Sequence, residues 1–526
     1  MRKLLFLLLL TPFLGYAQGK FKTEITIQKD EKWWGAFVGF GQEMPFANLE
    51  LQDLATQNYN NQNAPLLLSS NGRYLWSDGP FKFSIKGDQL LIYSEVEELK
   101  IVQAGKTLRE AYLDASKSHF PSTGKIPEPL FFSMPQYNTW IELMYNQNQP
   151  DILKYAHDAK KQGFPEGVFM IDDNWQKYYG NFEFKPDKFA DPKAMIDELH
   201  QMGFKIMLWI CPFVSADSPE FRDLEKKGYL IKAKASNTPA MITWWNGVSA
   251  SYDLTNPEAV KYLKNQLHQV QEKYGVDGFK FDAGDMNYFN GDYNLFEKSA
   301  TAVDLCRKWS EIGLDFPYNE YRASWKMGGK PLVQRLGDKD YSWPALQSLI
   351  PQAATAGLLG YSYVCPDMIG GGSFATFLNI EPNQFDQELI VRSAQVHAMM
   401  PMMQFSVAPW RILNAENLKI TRDFAAFHQK MGNYILAVAQ NTAKTGEPML
   451  RHMEYAFPHQ GFAACKDQFM LGDKYLVAPM VVKGNRRTVK LPKGLWKDDK
   501  SKIINGGRTL EIQVPMSRLP YYEKLR

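Results

Sequence analysis

Gly278-Phe279-Lys280-Phe281-Asp282-Ala283-Gly284-Asp285 carries a short apolar strand straight into two carboxylates. A helical run opens at Asn256-Pro257 and ends at Tyr274-Gly275, so a helix feeds the strand and Asp282 sits at its carboxyl end. Catalytic groups of a (β/α)8 barrel occupy that position. A single strand-end Asp is also a common helix cap or turn former. The reading therefore depends on whether neighbouring segments repeat the pattern.

They do. From about Pro127 apolar strands alternate with longer helical runs, the pattern of βα units and a parallel sheet. Strands are predicted from Leu130 to Met134, Gly167 to Ile171, Phe204 to Ile210, Gly278 to Phe281, Phe316 to Tyr318, Val333 to Leu336, Leu359 to Val364, and Met402 to Phe405. About eight such units in roughly 300 residues is the size of a TIM barrel, so the fold class is α/β. The helix between the second and third strands is well punctuated: Asp191 caps it, Pro192 takes its first position, Met195, Ile196, Leu199 and Met202 recur at helical spacing, and Gly203 stops it. A doubly wound sheet is the competing fold, but no Gly-rich phosphate loop follows any early strand.

Outside the barrel the pattern is different. Before it, short alternating runs such as Phe21 to Ile27 and Leu90 to Tyr93 are separated by Asn-Gly, Lys-Gly-Asp and Asp-Gly-Pro turns, which predicts an N-terminal β-sandwich domain over residues 18–126. The barrel is expected over 127–445. After it, Tyr475 to Pro479, Thr488 to Leu491 and Leu510 to Ile512 return to strands without helices, which predicts a C-terminal β-sandwich over 446–526.

The chain has 526 residues, 45% hydrophobic and 22% charged, with a net charge of +3. That composition suits a globular protein with a sizeable core and gives no basic stripe for nucleic acid. Met1-Arg2-Lys3, the apolar run Leu4 to Leu14 and the small residues before Gln18 read as a secretory signal over residues 1–17, hence a periplasmic or secreted protein. The apolar run is shorter than the roughly 20 residues that span a bilayer, so no membrane span is expected. Cys211, Cys306, Cys365 and Cys465 lack a disulfide or metal spacing, and so do the eight histidines. No metal or cofactor is expected, and nothing in the sequence specifies an oligomeric state.

Carboxylates converge on one rim of the predicted barrel. The second strand ends in Asp172-Asp173-Asn174-Trp175, the fourth in Asp282, the sixth in Gly337-Asp338, and the seventh leads to Asp367. Glycoside hydrolysis needs two carboxyls flanking the scissile bond, one to protonate the leaving oxygen and one to attack or to activate water. Any one of these residues alone is as readily a helix cap, whereas so many on one rim point to chemistry.

These segments resemble glycoside hydrolase family 31, with kinship to the wider clan of retaining α-galactosidases. Gly278 to Asp285 resembles the family's nucleophile strand, Arg335-Leu336-Gly337-Asp338 the segment bearing its acid/base, and Cys365-Pro366-Asp367-Met368-Ile369-Gly370-Gly371 its Asp-Ile-Gly-Gly segment. Pro448 to Arg451, Gln468 to Gly472 and Leu491 to Trp496 resemble its exit into the C-terminal sheet. The resemblance implies a retaining α-glycosidase with Asp282 as nucleophile and Asp338 as acid/base, their carboxyls about 5 to 5.5 Å apart. Lys280, two residues before Asp282 on the same strand face, stabilises a charged nucleophile, and Asp338 needs a raised pKa to hold its proton. Asp172 and Asp173 accept from sugar hydroxyls. Trp175 and Trp209 are either an apolar wall of the site or barrel-core indoles. Arg322 and Asp367 match segments that contact substrate in the family, and Arg335 is read as an ion-pair support for a site carboxylate. Asp285 and Asp340 are read as loop-orienting, and Trp140 as a further candidate in the first loop.

The sugar is read from departures. The family's α-glucosidases show Asp-Ile-Asp-Tyr after strand two and Trp-x-Asp-Met-Asn-Glu at strand four, whereas this chain has Asp-Asp-Asn-Trp and Lys-Phe-Asp-Ala-Gly-Asp. Both resemble α-galactosidases, in which tandem carboxylates select an axial O4 by hydrogen bonding. The expectation is an α-galactosidase acting on an oligosaccharide or glycoside. The alternatives are an α-glucosidase, an α-xylosidase or an α-N-acetylgalactosaminidase, since Lys-x-Asp also occurs in α-xylosidase-like members, or a catalytically dead carbohydrate-binding barrel. Transglycosylation shares the same intermediate. The family's His after strand eight is replaced around Gln404-Phe405-Ser406.

Overall fold

The structure, a computed structural model, describes residues 19–526. The expected signal segment, residues 1–17, lies outside the described residues.

The N-terminal domain is a sandwich of two four-stranded antiparallel sheets, one ordered Phe21–Thr26, Gln89–Ser94, Phe81–Lys86, Leu49–Asp53 and the other Trp33–Phe37, Asn63–Ser69, Arg73–Trp76, Ile101–Gln103. Phe81–Lys86 and Gln89–Ser94 are joined by the two-residue loop Gly87-Asp88, where Gly87 takes φ +61°, a conformation that suits a tight hairpin. The domain is not purely β, as expected, because Leu108–His119 forms a helix. Thr107 caps it by accepting from the Glu110 N–H, Glu110 reaches back to the Lys106 N–H, and Leu108, Ala111, Tyr112 and Ala115 make a buried stripe. That stripe covers the back of the second sheet, whose strand Asn63–Ser69 is buried along its whole length.

The barrel has eight parallel strands, in order Gln136–Asn138, Val168–Ile171, Lys205–Ile210, Gly278–Phe281, Tyr318–Tyr321, Gln334–Arg335, Val364–Cys365 and Gln404–Phe405, with the eighth paired to the first. The Ile369 N–H donates to the Gln404 carbonyl at 2.8 Å and ties the seventh strand's exit to the eighth. Several strand positions differ from expectation: the seventh begins at Val364, not at Leu359, which caps the helix Trp343–Leu358, and the sixth and eighth shorten to Gln334–Arg335 and Gln404–Phe405. Leu130–Ser133 is one helical turn that packs on the long helix Ala415–Thr445 with Phe131 and Phe132 buried, and the first strand starts only at Gln136. Gly432 permits that contact, since a Cβ there would lie 2.7 Å from Ser133 Cα. The fifth strand likewise begins at Tyr318, two residues beyond Phe316.

Helix Pro192–Gln201 forms as its punctuation requires: Asp191 accepts from the Ala194 N–H at 3.0 Å, and Met195, Ile196 and Leu199 are buried. Connections at the amino ends of the strands are short, while those at the carboxyl ends are long. Past the third strand the chain builds a three-stranded antiparallel sheet of Phe213–Ser215, Gly247–Ser251 and Ile242–Trp244 beside the barrel mouth.

The C-terminal domain packs a six-stranded sheet with the antiparallel pair Arg486–Leu491 and Arg508–Gln513 around buried Trp496. It holds a small apolar core of its own, including Met453, Phe457, Phe462 and Trp496. The N-terminal sandwich and the barrel instead share one continuous core. Among the described residues no helix is long and apolar enough to cross a membrane.

Candidate active site

Parallel register puts Trp209, Lys280 and Glu320 side by side on strands three, four and five, all buried. Two residues on from Lys280, the alternation of the strand returns Asp282 to the same side. After Asp282 the chain turns through Ala283 at φ +53° and Gly284 at φ +73°, and a Cβ on Gly284 would lie 2.2 Å from Trp309. Asn174 and Asp367, at other strand exits, are also left-handed. Such strained positions gather at functional rims.

Asp282 is 7% exposed. One of its oxygens accepts from Trp209 Nε1 at 2.8 Å and the other from the Ala283 N–H at 2.8 Å. Arg322 Nε stands 3.5 Å and Lys280 Nζ 3.8 Å away. Burial alone would raise its pKa, but Arg322, Lys280 and Arg335 together hold the carboxyl well below the usual range, so it is ionised. Lys280 also donates to Asp172 at 2.7 Å. Asp173 lies next to that pair without a cation of its own. Burial, then the charge of Asp172, pushes it up to about 7, although Tyr179 and Asn246 donate to it.

On the opposite side, Asp338 accepts from Arg335 Nη1 at 2.7 Å, and 36% of its side chain is open to solvent. Arg335 also binds Asp367 at 2.9 Å and faces Glu320. Asp367 is fully buried, where it accepts from the N–H groups of Lys339 and Gly372. Asp282, Asp338, Asp172, Asp173, Lys280, Arg322 and Trp209 all line one cavity of about 360 Å³.

Two of the expected binding residues, Asp367 and Trp175, do not reach that cavity, and Arg335 stands as the ion-pair support expected of it. Arg335 and Asp367 lie behind its wall as a buried ion pair. Trp175 is a barrel-core indole: Asn174 at φ +82° turns the chain, and the ring packs on Phe184 while its N–H donates to the Trp209 carbonyl at 2.7 Å. Around strand eight, Gln404 binds Glu320 and Gln136 inside the barrel, and Ser406 accepts the Ile141 N–H, so neither stands on the cavity wall. Trp140, Ser373, Phe374 and Ala375 do line the cavity. Asp285 is buried and accepts from Arg322 and Asn58.

Sequence reasoning missed Asn60, Tyr145, Trp245, Tyr288 and the segment Ser373, Phe374 and Ala375 on the cavity wall. Trp245 had a signal: Asn246-Gly247 between two apolar strands marks a hairpin, and Trp245-Asn246 is its two-residue tip. The Arg322 guanidinium stacks over Trp245 at 4.6 Å. Asn246 donates to Asp173 at 2.8 Å and to Tyr179 at 2.7 Å, and accepts from the Tyr145 hydroxyl at 2.9 Å. Tyr145 and Asn246 thus form an arch across one side of the mouth. Among the described residues no cluster of three or more His, Cys, Asp or Glu is arranged to hold a metal ion.

Residues 133–310 match the model of the glycosyl hydrolases family 31 TIM-barrel domain, and residues 446–524 that of the family's C-terminal domain. A mouse protein named myogenesis-regulating glycosidase is 31% identical over 409 residues, which is 76% of this chain and 57% of that protein. An α-xylosidase of Emericella nidulans is 27% identical, covering 88% of this chain and 61% of that one. A dextranase of Flavobacterium johnsoniae solved with glucose superposes with a TM-score of 0.83 at 18% identity, covering 96% of this chain and 66% of that one. The chain therefore spans less than two thirds of the length of each.

Proposed function

We propose that the chain is a glycosyl hydrolases family 31 member and a retaining exo-α-glycosidase, releasing a terminal α-linked sugar through a covalent glycosyl-aspartate intermediate, as its matches to two domain models of that family support. One arrangement carries the reading: Asp282 and Asp338, from the fourth and sixth strands, open on the same cavity. Asp282 is the nucleophile, kept ionised by Arg322 and Lys280. Its carboxylate attacks the anomeric carbon while Asp338 gives a proton to the departing glycosidic oxygen. In the second step Asp338 takes a proton from water, whose oxygen displaces Asp282 and leaves the anomeric configuration retained. The partial exposure of Asp338 lets it exchange protons with solvent, as a group alternating between acid and base must. Trp209 orients the nucleophile, and Arg335 with Asp367 holds Asp338 from behind.

Asp282→Asn and Asp338→Asn are each expected to lose nearly all turnover with an unchanged unfolding midpoint. Full activity in either variant refutes the role assigned to it. Binding of sugar without turnover by the parent protein would favour a non-catalytic barrel.

Xylose- or glucose-type α-glycosides are the first substrates we infer, because two of the relatives named above are an α-xylosidase and a dextranase. An α-galactoside is the second reading, favoured by the tandem Asp172-Asp173 on the cavity wall beside Lys280. Rates on p-nitrophenyl α-xyloside, α-glucoside and α-galactoside decide: faster cleavage of the galactoside overturns the first reading. We also infer export, from Met1 to Ala17, so that the mature protein starts at Gln18. Recovery of the full-length chain from the cytoplasm alone contradicts this.

A further inference from the structure

Asn58-Tyr59-Asn60-Asn61-Gln62, a polar tip of the N-terminal sandwich, is not given over to solvent. Asn58, Asn61 and Gln62 are buried against the barrel rim. Asn58 Nδ2 donates to Asp285 at 2.9 Å, and the other oxygen of Asp285 pairs with Arg322. Asn61 Oδ1 accepts the N–H of Gly337, the residue before Asp338, at 2.8 Å. Gln62 Nε2 donates to the carbonyls of Arg322 at 2.7 Å and Arg335 at 2.8 Å, so one amide spans the exits of strands five and six. Arg322 and Arg335 are the cations that face Asp282 and Asp338.

Two further features fix this contact. Tyr59 at φ +52° and Asn60 at φ +55° are consecutive left-handed residues without glycine, a costly conformation that persists only where surroundings impose it. Gly337 lies so close that a Cβ on it would stand 2.3 Å from the Asn60 carbonyl oxygen. Strand six itself is two residues long, and beyond it the backbone leading to Asp338 is held by Leu336 N–H to the Cys365 carbonyl and by Gly337 N–H to Asn61.

We propose that this tip is a positioning element of the active site, with Asn61 and Gln62 as positioning residues that set where Asp338 stands relative to Asp282. The inference rests on the acid/base role given to Asp338 above. It has a signature that simple loss of stability lacks. Protonation matters in proportion to the basicity of the leaving group: a sugar or alkyl alkoxide needs the acid, whereas a 2,4-dinitrophenolate departs unaided. Displacing Asp338 therefore slows the first class and spares the second.

The experiment compares the full-length parent, Asn61→Ala and Gln62→Ala on an alkyl α-glycoside and a 2,4-dinitrophenyl α-glycoside of the same sugar. General acid catalysis contributes about 10²–10⁴-fold, so partial misplacement is expected to lower kcat/KM on the alkyl glycoside by at least about tenfold, with a loss under about threefold on the dinitrophenyl glycoside. Equal losses on both substrates, or none on either, overturn the proposal. If Gln62→Ala does not fold, as its unfolding curve will tell, the comparison is made with Asn61→Ala alone. A parent that cleaves neither substrate, or an Asp338→Asn variant without the same leaving-group dependence, removes the functional reading itself. A parent that behaves as proposed, beside tip variants that do not discriminate, removes only the positioning role.

Discussion

Asp173 is the residue whose surroundings leave its charge least settled. Its neighbour Asp172 has Lys280 at 2.7 Å, whereas Asp173 has only the hydrogen bonds of Tyr179 and Asn246. With its pKa pushed up to about 7, the folded protein binds a proton that the unfolded chain has released above the ordinary Asp value of 3.8. Stability linked to this group is thus complete below 3.8 and is lost as pH rises through 7. Asp173→Asn is expected to match the parent in unfolding midpoint at pH 4 and to exceed it at pH 8, by an amount on the order of a few kcal/mol. A constant difference across that range contradicts the assignment. At this scale the sequence was legible where a carboxylate directly follows an apolar strand, as Asp172 and Asp282 do, because the strand carries it to the mouth of the barrel. It was not legible at Trp175, where a single left-handed residue, Asn174, redirects the side chain into the core.

Among the elements, the hairpin Ile242–Trp244/Gly247–Ser251 places Trp245 on the cavity wall, and its tip is held by Asn246. Removing that amide in Asn246→Ala frees Trp245 from its place over Arg322. KM is expected to rise by roughly tenfold, the order of a hydrogen bond to a charged group, while kcat changes far less, because the tip touches neither Asp282 nor Asp338. Steady-state kinetics together with tryptophan fluorescence check this; a fall in kcat at constant KM is the contrary result. Elements with strong punctuation were readable in advance, as helix Pro192–Gln201 demonstrates. Elements set by tertiary contact were not. The first barrel strand is three polar or aromatic residues, Gln136–Asn138, while the more apolar Leu130–Ser133 beside it is drawn into a helical turn under the helix Ala415–Thr445. The helix Leu108–His119 did carry a capping signal, Thr107 with Glu110, inside a region dominated by strand alternation.

The whole molecule joins its N-terminal sandwich and barrel through one core, and composition and turn spacing distinguish the two regions without showing what crosses between them. An Asn- and Gln-rich stretch reads as a solvated turn, since nothing local distinguishes it from one that meets another domain's backbone. Packing at this scale also sets the response to acid. His397, His428 and His452 are buried with their pKa values pushed by burial to about 3, 4 and 4. Below an ordinary value of 6.5 the unfolded chain gains protons that these folded rings refuse, so their contribution to stability falls as pH drops from 6.5 toward 4. Neither ring nitrogen of His397 has a hydrogen-bond partner among the described residues, and His397→Gln is expected to lose less stability than the parent over that interval. Denaturant titrations at pH 7 and pH 4.5 test it, and identical pH slopes for the two proteins contradict it.

The arch of Tyr145 and Asn246 obstructs one side of the cavity entrance. That side suits the release of terminal sugars proposed above, in which a polysaccharide presents its tip. Incubation with a viscous α-glucan is then expected to liberate monosaccharide steadily while the solution thins hardly at all.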